Sequence, residues 1–336
     1  MKKQRILVVS SANIDFVQRM RRVPYSGESV VEQEMGYSYV PGGKGANAAL
    51  TFAKFGADCV FVCKLGNDAN AKRLLSMYQK DGIDTRYVST SSDLPTGLSS
   101  VLVEENGKNR SITYPGANNS ITPDDVESSF TCYPDALYMH LDIPEEAIFD
   151  AAERAHESGI PVFIDASPAR LDFPLRKLGK VEIFATSDAE ARVFTGINPT
   201  TEESCLRAAI KLASFVDTKF VVIKLGANGA FIFDGSEYYV VESTETEIVD
   251  LNASADVFSA VMAFVYLSNG NIVSAAKYAS CAASISASRS GAYTSIPSKN
   301  EVIAYAKALI AAREAEAEQE VEIDYDAYRG YPEDEE

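Results

Sequence analysis

Residues 41–57 read PGGKGANAALTFAKFGA. Gly42, Gly43 and Gly45 make a turn of little steric bulk. It opens at once into a run with the apolar spacing of an amphipathic helix, stopped near Gly56. A glycine loop at a helix start turns free N–H groups and the positive end of the helix dipole toward an oxygen-rich or anionic ligand. Lys44 and Asn47 add donors suited to hydroxyl groups. The stretch is neither a Walker A loop nor a G-x-G-x-x-G fingerprint, and a glycine turn alone also serves plain chain reversal.

Outward from this stretch, apolar runs alternate with segments of helical period. RILVVSS (5–11), CVFVCKLG (59–66), ALYMHLDI (136–143), PVFIDAS (161–167), VEIFATS (181–187) and FVVIKLG (220–226) read as strands buried on both faces. Residues 45–57, 70–82, 144–159 and 202–216 read as helices between them. Such alternation predicts an α/β fold: a central, mostly parallel sheet flanked by helices, with right-handed crossovers. Segments within about 12–42 and 95–116 break the pattern with β-prone, partly polar runs, and ENGKN (105–109) carries a hairpin signal. They predict a small antiparallel sheet standing off the main one, as a lid, an interface or both. From about residue 250 the chain reads as helical.

Composition narrows the function classes. Hydrophobic residues make up 46% of 336, enough for a sizeable core, and no apolar run reaches the length of a membrane span. The opening MKKQRILVVSSANIDF is interrupted by Asn13 and Asp15 and reads as a buried first strand rather than a signal peptide. Five scattered cysteines without ligand spacing predict free buried thiols and a reducing cytoplasm. The net charge of −17 is concentrated: residues 313–336 hold eleven acids against Arg313 and Arg329, a solvated acidic extension beyond a body of 1–312. No basic face points to nucleic acid. Only two histidines, His140 and His156, argue against a multi-histidine metal site. There is no G-x-S-x-G elbow, and VVSSANID lacks a dinucleotide fingerprint.

A second stretch, IVDLNASADVFSAVMAF (248–264), places Asp256 at a helix start after a turn of small residues. A carboxylate there can accept the proton of an attacking alcohol, while N–H groups of Ala253, Ser254, Ala255 and Asp256 face charge on a phosphoryl group in flight. Alone, Asp256 also fits a plain first-turn acid, worth a few tenths to about one kcal/mol.

Together, and in this order, the two stretches resemble the ribokinase branch of the PfkB carbohydrate kinases, over roughly residues 5–312. PGGKGAN, GNDANAKRLL, PGANNSITPDDV, HLDIP, KLGANGAFIF and ASRSGAYTSIP all carry the resemblance. It implies a ribokinase-like layered fold with a small β-sheet lid, ATP with Mg2+, and a sugar between Asn13, Asp15, Gly43, Lys44, Asn47 and Asp142. Asp256 would be the base. Ser187, Glu190, Lys224, Gly226 and Gly229 would lie on the nucleotide side, with Glu190 reaching magnesium through water. Asp250, Asn252, Ala287, Ser290, Gly291 and Ser295 would hold a potassium-like ion, and a homodimer through the lid would follow family practice.

The chain also departs from the family pattern. Leu251 stands for a Thr, Ala255 for a Gly, Ser187 for an Asn, Val261 for Ala or Gly, and Asp142 for a Glu. If position 255 requires a positive φ, alanine there costs on the order of 1–2 kcal/mol. Three expectations follow: an ATP-dependent kinase of ribose or a related pentose, a nucleoside kinase, or a weakened or inactive sugar- and nucleotide-binding protein on the same scaffold.

Overall fold

A computed structural model describes residues 3–105 and 109–312. The Asn-Gly pair at 106–107 and the acidic stretch 313–336 lie outside the described residues. Along the chain run β1 (Arg5–Val9), β2 (Asn13–Met20), β3 (Tyr37–Gly42), α1 (Lys44–Lys54), β4 (Asp58–Val62), β5 (Lys64–Gly66), α2 (Ala69–Lys80), β6 (Ser89–Ser91), β7 (Gly97–Glu104) and β8 (Asn109–Tyr114). Next come α3 (Pro123–Glu127), β9 (Ala136–His140), α4 (Glu145–Glu157), β10 (Val162–Asp165), β11 (Lys180–Ser187), α5 (Asp188–Thr195) and α6 (Glu202–Phe215). Then follow β12 (Asp217–Lys224), β13 (Ala230–Phe233), β14 (Tyr238–Val241), α7 (Ser254–Asn269), α8 (Ile272–Ala287) and a last helical stretch at 299–312.

The main sheet has the order β14-β13-β12-β11-β10-β9-β1-β4. Its six strands from β4 to β12 are parallel, and β13 and β14 append an antiparallel edge. Side chains alternate across a strand, so β1 feeds two cores. Ile6 and Val8 pack with α1, α2, α7 and α8 on one face. Leu7 and Val9 pack with α4, α5 and α6 on the other. Each such side chain, fully buried, contributes roughly 1.5–3 kcal/mol of transfer free energy. Helix α7 is buried almost all round, as expected of a helix between sheet and neighbouring helices. Among the described residues no helix is long and apolar enough to cross a membrane, and all five cysteines are free and buried.

The second sheet has the order β3-β2-β7-β8. The expectation of an antiparallel sheet is corrected here, because its central pair, β2 and β7, is parallel from Asn13↔Gly97 to Met20↔Glu104. These two strands are separated by α1 and α2, not by a hairpin, and a crossover of that length permits parallel pairing. Residues 29–36, read as β-prone, lie outside any strand, and β3 begins only at Tyr37.

Candidate active site

The site forms outside the carboxyl ends of the parallel strands, where open α/β sheets place their ligands. A cavity of about 540 Å³ opens there, walled by the two sheets and the first turn of α7. Asn13, Asp15, Gly43, Lys44, Asn47, Asp142, Ala253, Ala255 and Asp256 all line it. Local backbone chemistry explains this convergence. Gly43 has φ +93°, and a Cβ there would stand 2.8 Å from the backbone nitrogen of Asn13. Only glycine lets the α1 loop lie against the start of β2. At Gly42 a Cβ would meet the Asp15 carboxylate at 2.1 Å.

Asp256 lies in the first turn of α7 and is buried. Its Oδ2 accepts a hydrogen bond of 2.9 Å from Asn47 Nδ2, and its Oδ1 lies 3.7 Å from Lys44 Nζ. Helix α7 has no side-chain cap at Ala253. The early N–H groups of Ala255 and Asp256 therefore lack the usual intrahelical or capping acceptor. Burial alone would push the Lys44 ammonium down, but Asp256, Asp165, Glu190 and Asp142 outweigh it and hold Lys44 above its ordinary value. Lys44 thus stays a cation against which phosphate oxygens can dock.

Ala255 does not carry the strain its substitution suggested. Among the described residues Tyr133 is the only non-glycine with positive φ, and Ala255 is the second residue of α7. The helix begins one residue before Ala255, so its backbone is ordinary right-handed helix and alanine fits without cost.

The wall expected to face a sugar is largely hydrogen-bonded, although Asn47 Oδ1 has no partner among the described residues. Asp142 accepts from Ser10 Oγ at 3.0 Å and from Ser11 Oγ. Burial pushes the Asp15 carboxyl up to about 6, with a hydrogen bond from Ser99 opposing and the charge of Asp256 adding. Asn118 clamps the start of β2, accepting from Ala12 N at 3.0 Å and donating to Asn13 Oδ1 at 2.8 Å. Sequence reading quoted the stretch PGANN without singling out Asn118. Ser99, Ser111 and Thr113 of the small sheet complete the wall.

The positions expected on a nucleotide side are more dispersed. Ser187 and Glu190 form a capping box at the start of α5, Ser187 N donating to Glu190 Oε2 at 2.7 Å. Gly226 and Gly229 make the turn between β12 and β13, both with positive φ. Lys224 turns inward, donating to Asp165 Oδ2 at 2.5 Å and to Ser259 Oγ at 3.0 Å. Burial would raise the Asp165 carboxyl, but the Lys224 and Lys44 ammonium groups hold it below the usual range. His140, Asp165 and Asp256 each present one ligand atom within 4.8 Å of the others. The Lys224 and Lys44 ammonium groups already supply the positive charge that a metal ion would bring to this cluster.

Of the positions expected to hold a monovalent cation, Asp250, Asn252, Ala287 and Gly291 meet behind the turn before α7. Asp250 Oδ2 accepts from Gly291 N at 3.0 Å and its Oδ1 from Asn252 N at 3.0 Å. Val249 N and Asp250 N both donate to the Ala287 carbonyl. Ser295 Oγ lies 2.8 Å from Ser286 Oγ, and Ser290 Oγ accepts from Arg19 of β2. Sequence reading missed Ser10, just past the end of β1, and His140 and Asp165, the last residues of β9 and β10, all of which look like ordinary interior residues.

The pattern of the pfkB family carbohydrate kinases matches residues 3–299. A bifunctional ribokinase/ribose-5-phosphate isomerase A of Fructilactobacillus sanfranciscensis is 32% identical over 303 residues, 89% of this chain. This chain spans only 56% of that relative's length. Ribokinase of Haemophilus influenzae is 28% identical over 90% of this chain and 98% of its own. The structure of Arabidopsis thaliana ribokinase complexed with ribose and ATP superposes with a TM-score of 0.81 at 26% identity, covering 91% of this chain and 99% of that one. With the family pattern running from the first strand into the last helix, this chain belongs to the pfkB family of carbohydrate kinases.

Proposed function

We propose that this chain transfers the γ-phosphoryl group of ATP to the primary hydroxyl of a sugar, ribose or a related pentose first, with Asp256 as base. One observation carries the reading. A buried carboxylate held by Asn47 and Lys44 sits at the uncapped start of α7 and faces a cavity lined by polar side chains. Asp15, Asn13 and Asp142 orient the sugar, Asp256 takes its hydroxyl proton, and the N–H groups of Ala255 and Asp256 with Lys44 receive phosphoryl charge. Positioning and electrostatics supply most of the acceleration in such transfers. The kinase body is taken as 1–312, in the cytoplasm, with 313–336 as an acidic extension. Exposed Tyr37, Tyr39, Ile112 and Tyr114 on the small sheet support a homodimer through the lid.

The acid-rich surroundings suit countercations. Four carboxylates act on Lys44, so a triphosphate entering here meets negative charge. Glu190 would hold magnesium through water, where the ion neutralises phosphate oxygens. The all-oxygen set of Asp250, Asn252, Ala287, Ser290, Gly291 and Ser295, with one charge, suits a monovalent ion such as potassium. Incubation with ribose and Mg-ATP is expected to yield a monophosphate whose phosphorus couples to a methylene in NMR. Ribose left unphosphorylated while a nucleoside supplied in its place gives a nucleoside monophosphate would assign the nucleoside-kinase reading.

Asp15 gives this reading a pH signature. A sugar hydroxyl donating to Asp15 needs the carboxylate, and a group with a pKa of about 6 is mostly protonated at pH 5. Sugar affinity is therefore expected to weaken roughly tenfold from pH 7 to pH 5. Calorimetric titration would show this loss in the wild type and not in Asp15→Asn.

A second reading, binding without efficient turnover, is favoured by Leu251, which is 58% exposed and lines the cavity where the family carries a hydroxyl. Leu251→Thr is expected to raise kcat by roughly tenfold, the worth of one hydrogen bond. Ala255→Gly, relieving no strain, should leave kcat unchanged. A rise in kcat with Ala255→Gly alone would return the weakness to position 255.

A further inference from the structure

The reaction as described leaves the buried imidazole beside Asp256 unused. His140 ends β9 and is wholly buried. Its Nε2 has no hydrogen-bond partner among the described residues and lies 4.0 Å from Asp256 Oδ1. Its Nδ1 lies 2.9 Å from Ser10 Oγ, and Ser10 Oγ donates to Asp142 Oδ1 at 3.0 Å. The direction of this chain is set from its far end. A carboxylate only accepts, and a serine hydroxyl has one proton to give. Ser10 gives that proton to Asp142 and therefore receives one from Nδ1. In the neutral ring that the wire requires, the Nε2 lone pair then faces Asp256.

Resting on Asp256 as the base, we propose that His140 and Ser10 form a proton wire that carries the captured proton from Asp256 to Asp142 on the open wall of the cavity. The sugar O–H bond breaks as the O–P bond forms, and the proton goes to Asp256. The Asp256 O–H bond then breaks as Nε2–H forms. The Nδ1 proton passes to Ser10 Oγ, and the original Ser10 proton passes to Asp142. Asp256 is a carboxylate again, and Asp142, half-buried at the cavity, releases its proton to water. Once product leaves and water fills the cavity, a proton taken up at Asp142 runs back through Ser10 to Nδ1 while the Nε2 proton leaves past Asp256 to water, which restores the starting Nδ1–H tautomer.

The 4.0 Å gap suits this sequence of events. An ionised Asp256 and an imidazole lone pair repel, which holds them apart before turnover. A protonated Asp256 has an O–H to donate, so attraction closes the gap only when there is a proton to move. The other groups facing the imidazole do not compete. Asp165 is neutralised by Lys224, Lys44 stands against Asp256, and Tyr138 meets the ring edge-on at 5.3 Å between centroids. His140 touches no substrate; it is a positioning residue that acts through Asp256.

The chain has only two histidines, so nitrogen-15 labelling of histidine gives a spectrum of two rings. The other, His156, lies beside the Lys180 carbonyl at the surface. In the unliganded full-length protein His140 should appear with its proton on Nδ1 and a bare Nε2, and Ser10→Ala should speed exchange of that proton at least tenfold. A resting Nε2–H tautomer, or an imidazolium with both nitrogens protonated, overturns the wire without reference to activity and without any variant having to fold. In turnover, His140→Gln and Ser10→Ala should each lower kcat by roughly tenfold, with the KM for sugar within twofold. The double variant should be no slower than the slower single one, because both interrupt one path. Multiplying losses would show two independent structural effects and overturn the wire. A wild type with the expected tautomer and no turnover would remove Asp256 as base, and the wire with it.

Discussion

Asp256→Asn is expected to lower phosphoryl transfer by roughly 10²–10⁴-fold while sugar binding stays within a few-fold of the wild type. The amide keeps the shape of the side chain and an oxygen to accept from Asn47 Nδ2, so the 2.9 Å contact that fixes its position survives. It cannot take a proton from an alcohol. The neighbouring N–H groups at the start of α7 and the Lys44 ammonium remain, which accounts for residual turnover. Steady-state ADP release separates this from a folding effect when paired with calorimetric sugar binding. Parallel loss of rate and binding would make Asp256 a sugar ligand rather than a base.

Lys224→Met is expected to destabilise the fold by about 3–5 kcal/mol, the cost of leaving a buried charge without its partner. Asp165 is completely buried, and its contact with Lys224 Nζ is 2.5 Å. Thermal unfolding should fall by on the order of 10 °C. Replacing both members with apolar residues of similar size should recover most of the loss. The pH dependence follows from the lowered Asp165 carboxyl. A carboxyl depressed in the fold stabilises it fully above its ordinary value near 4, and that stability is lost as pH falls through the lower native value. Wild type should lose this contribution only in acid. The Lys224→Met protein should lack it at neutral pH already.

The parallel strands were legible because burial on both faces leaves continuous apolar runs such as RILVVSS and FVVIKLG. Of the edge hairpin only β13 was legible, as the end of the family stretch KLGANGAFIF; β14 was not, since YYVV lies among polar residues at a sheet margin. The parallel β2–β7 pair could not be read locally, because pairing between distant strands leaves no turn signal at either one. At the site, the glycine loop and Asp256 stand out by their punctuation. His140 and Asp165 do not: each is one polar residue at the end of an apolar strand, and what it faces depends on Ser10 and Lys224 arriving from elsewhere in the chain. The fear over Ala255 was a local argument from a family glycine. It failed because the helix already begins at Ser254, so Ala255 has helical backbone.

The most direct test of the central claim is ADP release with Mg-ATP and potassium against a panel of pentoses, hexoses and nucleosides, run for wild type and Asp256→Asn. The account predicts sugar-dependent turnover, highest with ribose or a related pentose and nearly abolished in the variant. Well-folded wild-type protein that binds a sugar yet releases no ADP above background with any member of the panel would contradict it.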